Sequence, residues 1–167
     1  MSDELIQHVE WALASSGVDQ AQIELEITES AALENFDQVL QKLHILKQMG
    51  MRLALDDFGT GYSSLSYLHR LPLDILKVDR AFVKGIGTED SGAIARAVIA
   101  MAHGMGLQTI VEGVETPVQH DFVRENGGDV IQGFYYSSPL TAQDLEIFVR
   151  NRNQGTPPGV GQILPFA

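Results

Sequence analysis

The chain has 167 residues, 44% hydrophobic and 20% charged, a balance that excludes a disordered or fibrous protein. Lys and Arg number 11 against 22 Asp and Glu, a formal net charge of −11, which argues against DNA or RNA as partner and against an anionic membrane surface. There is no cysteine, so disulfide frameworks and thiolate metal sites are excluded. The acidic start Met1-Ser2-Asp3-Glu4 has no signal-peptide pattern. No apolar run approaches the roughly 18 residues of a membrane span, and a cytoplasmic location is the expectation. The length suits one domain of about 100–150 residues. It falls short of a complete (β/α)8 barrel of about 250.

Helix and strand alternate along the chain. Ser2 can cap a first helix whose apolar residues are Leu5, Ile6, Val9, Ala12 and Leu13, ended by Gly17. Residues 23–28 alternate with period two and read as a strand. Phe36, Val39, Leu40, Leu43, Leu46 and Met49 share a helical face, with Gly50 at its end. A second strand at 52–57 is followed by the break Phe58-Gly59-Thr60-Gly61. A short helix at 63–70, a third strand at 74–79, a helix at 91–105 and a fourth strand at 108–112 come next. Thr116-Pro117 opens another helix, and a short fifth strand covers 130–133. Thr141 and Asp144 resemble a capping box before a last helix. Residues 1–150 form the domain; 151–167, with Pro157, Pro158 and Pro165, read as a tail or linker. No internal repeat stands out beyond the β/α rhythm. The class is α/β, parallel β/α units, either an open doubly wound sheet or part of a barrel.

The charges decide between these. Glu24, Glu26 and Thr28 fall on one face of the first strand, opposite Ile23, Leu25 and Ile27. Asp56 shares a face with Arg52 and Ala54, and Lys77 shares one with Ile75 and Asp79. Glu112 ends the fourth strand. A sheet covered by helices on both faces has no place for such residues, whereas the C-terminal mouth of a barrel interior does. Glu26, Asp56, Asp57 and Glu112 converging there would repel one another unless they share protons or bind a cation. Oxygen-only donors favour Mg2+, Mn2+ or Ca2+ over zinc. Two adjacent aspartates with flanking glutamates suit a two-metal site of the kind that stabilises attacking and leaving oxygens in phosphoryl chemistry. Lys77 is placed to orient a water or offset phosphate charge.

Each feature alone is weaker. A single strand-end aspartate is usually a turn or cap residue, Gly59-Thr60-Gly61 alone is usually a turn, and a strand lysine is usually a structural partner. Asp57-Phe58-Gly59 matches the kinase metal-binding tripeptide, but the strand lysine follows it and no glycine-rich nucleotide loop precedes it. His8, His44, His69, His103 and His120 show no ligand spacing and read as surface or packing residues. The weight lies in several strands ending in chemistry together.

At these residues the chain resembles the EAL family of cyclic-di-GMP phosphodiesterases. The motifs are Glu26-Ile27-Thr28-Glu29-Ser30, the run from Asp56-Asp57-Phe58-Gly59 through Thr60-Gly61-Tyr62-Ser63-Ser64, Leu76-Lys77-Val78-Asp79, Glu112-Gly113-Val114-Glu115-Thr116 and Gln132-Gly133-Phe134. The resemblance implies an incomplete TIM-type (β/α)8 barrel with about five of the eight strands. It implies hydrolysis of one phosphodiester bond of cyclic-di-GMP to the linear dinucleotide, with Mg2+ or Mn2+ as cofactor. Glu26, Asp56, Asp57 and Glu112 are the implied metal ligands, and Lys77 and Glu112 the implied catalytic residues. Glu29 corresponds to the anchor of the loop at 58–64, and Glu115 and Gln132 to groups on the substrate side.

The Glu-Ala-Leu segment that gives the family its name has no counterpart in these residues, nor does an asparagine ligand on the next strand. The expectation is therefore an N-terminally truncated domain, roughly its C-terminal two-thirds, with compromised activity. The alternative is a degenerate, non-catalytic module that binds cyclic-di-GMP or a partner protein. Unpaired barrel edges, or the family's dimer surface, predict self-association, and exposed interior residues such as Ile75 and Ile110 predict marginal stability.

Overall fold

The computed structural model describes residues 4–59, 65–88 and 92–153. The expected cap Ser2, the loop residues 60–64, Ser91 and tail residues 154–167 lie outside the described residues.

Helix α1 (Glu4–Ser16) follows from its apolar spacing: Leu5, Ile6, Val9 and Leu13 lie half-buried against the core. After a single 3-10 turn at Gln20–Gln22 come β1 (Glu24–Thr28), α2 (Glu29–Leu33), α3 (Phe36–Gln48) and β2 (Arg52–Phe58). Then follow α4 (Leu65–Leu68), β3 (Ile75–Val78), α5 (Arg80–Val83), α6 (Ala93–Gly104) and β4 (Gln108–Val111). The described chain ends with α7 (Pro117–Glu125), β5 (Val130–Ile131) and α8 (Ala142–Asn153).

Two short helices were not predicted. Both are too brief to show an apolar period, and both start on a capping side chain. Thr28 Oγ1 accepts the Ala31 N–H at 3.3 Å to start α2, and Asp79 Oδ1 accepts the Ala81 N–H at 2.7 Å to start α5. Asp79, expected in the third strand, is thus a cap. Thr116 caps α7 and Pro117 opens it, as the sequence predicts, and Gln119 completes a capping box that was not foreseen. Helix α8 runs on through 151–153, into the expected tail. Thr141 caps it, its hydroxyl accepting the Asp144 N–H at 3.2 Å.

The five strands are all parallel, in the order β1-β2-β3-β4-β5. Parallel neighbours are joined as a rule by right-handed crossovers, which put connecting helices on one face, and α3 and α6 both pack in the cluster on the strands' apolar side. A doubly wound sheet would reverse its strand order at a switch point, and this one does not. The sheet is therefore an open segment of barrel type, as the strand-borne charges predicted.

On the helix-covered face, Ile27, Leu53, Leu55, Leu76, Val78 and Val111 join Val39, Leu43 and Leu46 of α3 and Val98, Ile99 and Ala102 of α6 in one buried cluster. At about 1.5–3 kcal/mol for each large apolar side chain, this face supplies most of the driving force for folding. The other face carries Arg52, Ala54, Asp56, Ile75 and Lys77. Ile75 was expected to lose its cover, yet it is only 1% exposed. It sits on the central strand, paired with Ala54 on one side and Gln108 on the other. The Arg52 guanidinium donates to Gln108 Oε1 from β2 to β4, spanning β3 at that level. Ile110, nearer the edge, is half-buried.

The structure also reveals a repeat that is faint in the sequence. Adding 56 to residue numbers carries Met49-Gly50 onto Met105-Gly106 and Asp56 onto Glu112. The same shift carries Lys47 onto His103 and Leu53 onto Thr109. Each unit closes with one clamp at the N-terminal end of the sheet. Asp74, just before β3, accepts the Leu53 N–H at 2.9 Å and pairs with Lys47 of α3. Asp129, just before β5, accepts the Thr109 N–H at 2.8 Å and the Thr109 hydroxyl at 2.9 Å, and meets His103 of α6 at 2.9 Å. The repeat lies in contacts shared by different residue types, which explains why residue identity hides it.

Burial disfavours the Asp129 carboxylate, but its hydrogen bonds with His103 and Thr109 outweigh this and hold its pKa below the usual value. A folded pKa below the unfolded one, about 3.9, stabilises above that pH and loses its effect as pH falls through the folded value. Wild type should therefore melt above Asp129→Asn at near-neutral pH, and the gap should close as pH drops below about 4. Calorimetry across that range checks it; a pH-independent gap would contradict the charged clamp.

Candidate active site

Parallel strands paired in sequence order bring their C-terminal ends side by side. Glu26 lies in β1, Asp56 in β2, Lys77 in β3, and Glu112 immediately after β4, its N–H donating to the Val78 carbonyl at 3.0 Å. The central strand thus carries the cation, and strands on both sides carry the acids. The Lys77 ammonium lies 2.8 Å from Glu26 Oε2, 2.9 Å from Glu112 Oε1 and 3.1 Å from Asp56 Oδ2. Lys77 is only 4% exposed. Burial alone would lower its pKa, but hydrogen bonds to Glu26, Glu112 and Asp56 overcome that and hold it above the ordinary lysine value.

The adjacent pair Asp56-Asp57 depends on an irregularity in β2. Leu55 pairs with Leu76, but the next partners are Phe58 and Val78, so β2 spends one extra residue there. Asp57 absorbs it at φ 56°, a left-handed conformation that aspartate tolerates better than most residues. Its N–H donates to Asp56 Oδ1 at 2.9 Å. Asp57 itself is exposed at the end of the sheet, outside the three-acid contact with Lys77. Strict alternation could not foresee this bulge.

Glu29 is buried, 3% exposed. Its Oε2 accepts the Gly59 N–H at 3.0 Å and its Oε1 accepts the Tyr67 O–H at 2.8 Å. Gly59 has φ 89°, and a Cβ there would lie 2.7 Å from the Phe82 ring, so only glycine passes this point. Glu115 is exposed on the loop after Glu112. That loop is held by Gln119, whose Oε1 accepts the N–H groups of Glu115 at 2.7 Å and Thr116 at 3.0 Å. Gln132 follows β5 and opens onto a cleft with Arg124, Tyr136 and Phe148. Its carbonyl accepts the Val114 N–H at 3.2 Å, which ties it to the loop after Glu112. Gly133 is required there, since a Cβ would fall 2.1 Å from the Val114 carbonyl oxygen.

Sequence reasoning missed Tyr67 and Gln119. Gln119 was detectable as the third residue after Thr116, the partner position of a capping box. Tyr67 carried no signal, because its role depends on a contact 38 residues away in sequence.

Among the described residues no three acidic or histidine side chains are spaced to share one metal ion. Glu26, Asp56 and Glu112 direct oxygens at Lys77 instead. The donor chemistry nevertheless fits a hard divalent cation: all donors are carboxylate oxygens, and three carboxylates around one ammonium leave two negative charges uncompensated.

A family model described as "EAL domain" matches residues 1–139. The chain is 48% identical over 147 residues to cyclic di-GMP phosphodiesterase NbdA of Pseudomonas aeruginosa, covering 87% of this chain and 19% of that protein. The chain thus spans about a fifth of that relative's length. Among solved structures it superposes on the MucR phosphodiesterase of Pseudomonas aeruginosa in complex with cyclic-di-GMP, with a TM-score of 0.81 at 39% identity, over 86% of this chain and 58% of that one. It also superposes on Klebsiella pneumoniae BlrP1 in a manganese and cyclic-di-GMP complex, with a TM-score of 0.75 at 34% identity, over 83% of this chain and 36% of that one.

Removing a buried partner from an ionic cluster typically costs about 3–5 kcal/mol, because the remaining charges stay desolvated. Lys77→Met should lower stability in denaturant titration by an amount of this order. Mn2+ should raise the melting temperature of the variant more than that of the wild type. A variant as stable as wild type without added cation would show that the lysine is not what holds the three carboxylates together.

Proposed function

Because this chain belongs to the EAL domain family, we propose that its acidic site serves cation-dependent hydrolysis of cyclic-di-GMP to the linear dinucleotide, in the cytoplasm. The observation that carries the reading is the convergence of Glu26, Asp56 and Glu112 on buried Lys77 at the C-terminal ends of parallel strands. Glu26, Asp56, Asp57 and Glu112 would hold Mg2+ or Mn2+; the Mn2+ in BlrP1, a structural neighbour, supports a divalent ion. Bound ions would supply charge stabilisation to the attacking and leaving oxygens. Lys77 keeps its proton, so it acts as a fixed positive charge beside the scissile phosphate and the attacking water. Glu29 holds the start of the loop after β2, while Glu115 and Gln132 face the substrate beyond Glu112. The excess negative charge of the site repels a phosphodiester until cations neutralise it, which makes hydrolysis obligatorily cation-dependent.

The resemblance assigns two further ligands, a glutamate and an asparagine, to strands that these residues do not include, so hydrolysis by this chain alone is compromised. The outer strands β1 and β5 each pair with one described neighbour, which favours self-association of the chain. A second reading, a non-catalytic module that binds cyclic-di-GMP, is favoured by one observation: Lys77 already engages the three carboxylates.

Incubation of the chain with cyclic-di-GMP should yield the linear dinucleotide only with Mg2+ or Mn2+, at a low rate. Glu112→Ala or Lys77→Ala should reduce turnover by at least about 100-fold, as expected for loss of a group acting on the transition state. Binding by calorimetry without any turnover would instead establish the non-catalytic module. Sedimentation should show a species larger than the monomer, and a strictly monomeric chain would remove the self-association from this reading.

A further inference from the structure

We propose that Tyr67 is a positioning residue of the acidic site: its hydroxyl holds the Glu29 carboxylate where it accepts the Gly59 N–H, and thereby sets the path of the bulged end of β2 that carries Asp56 and Asp57. The inference rests on reading that site as a cation-dependent phosphodiesterase centre.

Tyr67 lies on α4 and is 7% exposed. Its O–H donates to one oxygen of Glu29 at 2.8 Å while the other oxygen accepts from Gly59 at 3.0 Å. A carboxylate fixed through both oxygens cannot swing about its terminal torsion, as one held through a single oxygen can. Glu29 is well placed to transmit that order. It stands three residues after Glu26, and Gly59 stands three residues after Asp56. Two of the three acids on Lys77 are thus each one short step of backbone from a point fixed by Glu29.

Tyr67 is itself fixed. Phe36 meets its ring edge-on, with centroids 6.2 Å apart and planes at 71°. The Arg70 guanidinium lies 4.6 Å from the Phe36 ring centre. Burial, followed by the bond to Glu29, raises the Tyr67 pKa above the ordinary tyrosine value, so its hydroxyl remains a donor throughout the working pH range. The Tyr67 hydroxyl bonds to Glu29, and through that carboxylate it acts on the site.

Tyr67→Phe in the 167-residue chain removes the hydroxyl and keeps the ring. Amide exchange at Gly59, followed by NMR, should speed up by about tenfold, the effect of losing one stabilising hydrogen bond, while exchange at Thr109 stays unchanged. Calorimetric affinity for Mn2+ should fall by about tenfold, as on removal of a group that orients a ligand. Faster exchange at Gly59 with unchanged Mn2+ affinity would overturn the proposal, since Tyr67 would then be a structural tie alone. Unchanged exchange at Gly59 would overturn it even in an active enzyme. If Tyr67→Phe fails to fold, Glu29→Gln decides: it cannot accept from both partners, so wild-type exchange at Gly59 and wild-type Mn2+ affinity in that variant would overturn the proposal. A wild-type chain that binds no Mn2+ refutes the phosphodiesterase reading separately, because exchange at Gly59 still reports whether Tyr67 holds the loop.

Discussion

Three carboxylates delivered by separate strands cannot be packed against one another without a counter-charge, and the Lys77 ammonium provides it from the strand between them. Its contacts of 2.8 to 3.1 Å place opposite charges at the closest separation available. At an effective dielectric constant of about 20, each such contact is worth about 5 kcal/mol before desolvation is subtracted. Burying the ammonium itself costs several kcal/mol. Three contacts therefore outweigh the burial by a wider margin than any one of them would. The cluster is consequently cooperative: loss of any one acid weakens the case for keeping Lys77 buried, and loss of Lys77 leaves the acids opposed. Strand order, the bulge in β2 and the Glu29 tether all converge on maintaining this geometry.

The two ends of the sheet divide the work. At the N-terminal end, Asp74 and Asp129 clamp neighbouring strands through backbone N–H groups and pair with Lys47 and His103 of the preceding helices. These contacts tie each strand to its neighbour and to the preceding helix. At the C-terminal end the same 56-residue shift relates Asp56 to Glu112, and it relates Asp57 at φ 56° to Gly113 at φ 69°. In both units the chain turns into the left-handed region directly after the acid. The turn in backbone direction, more than residue identity, is the feature that the two halves share. The N-terminal end is thus built twice from similar parts, while the C-terminal end differs in the residue placed directly after the acid, an aspartate in one unit and a glycine in the other.

Much of this was visible in the amino-acid sequence, and the remainder was hidden for identifiable reasons. Period-two alternation placed Glu26, Asp56 and Lys77 on the face opposite the apolar core, because alternation is set by backbone geometry alone. The cap at Thr116 and the helix after it followed from local chemistry. The helices α2 and α5 escaped because four or five residues contain no period. The bulge escaped because an extra residue in one strand is defined only by the register of its partner. Ile75 was expected to be bare because cover was sought in distant strands, yet on the central strand, between Ala54 and Gln108, it is buried. Tyr67 escaped since its meaning depends on Glu29, a partner remote in sequence.

The excess charge of the cluster connects the fold to its chemistry. Three acids neutralised by one base remain two charges short of balance, in a chain already at −11. A protein that needed only stability would reduce that deficit, since an acid removed or a second base added would cost less than desolvated repulsion. Retaining it makes sense when a divalent cation is the intended balance, because two positive charges match the deficit and oxygen donors match a hard ion. The lysine then serves in two ways. Without cation it keeps the acids together, so the site does not have to be assembled by the ion. Under the proposed function, a bound cation would release it from part of that duty and leave it as a fixed positive charge facing the phosphodiester. On that proposal, the cation would reverse the local field of an acidic site only where the anionic phosphodiester is to be cleaved.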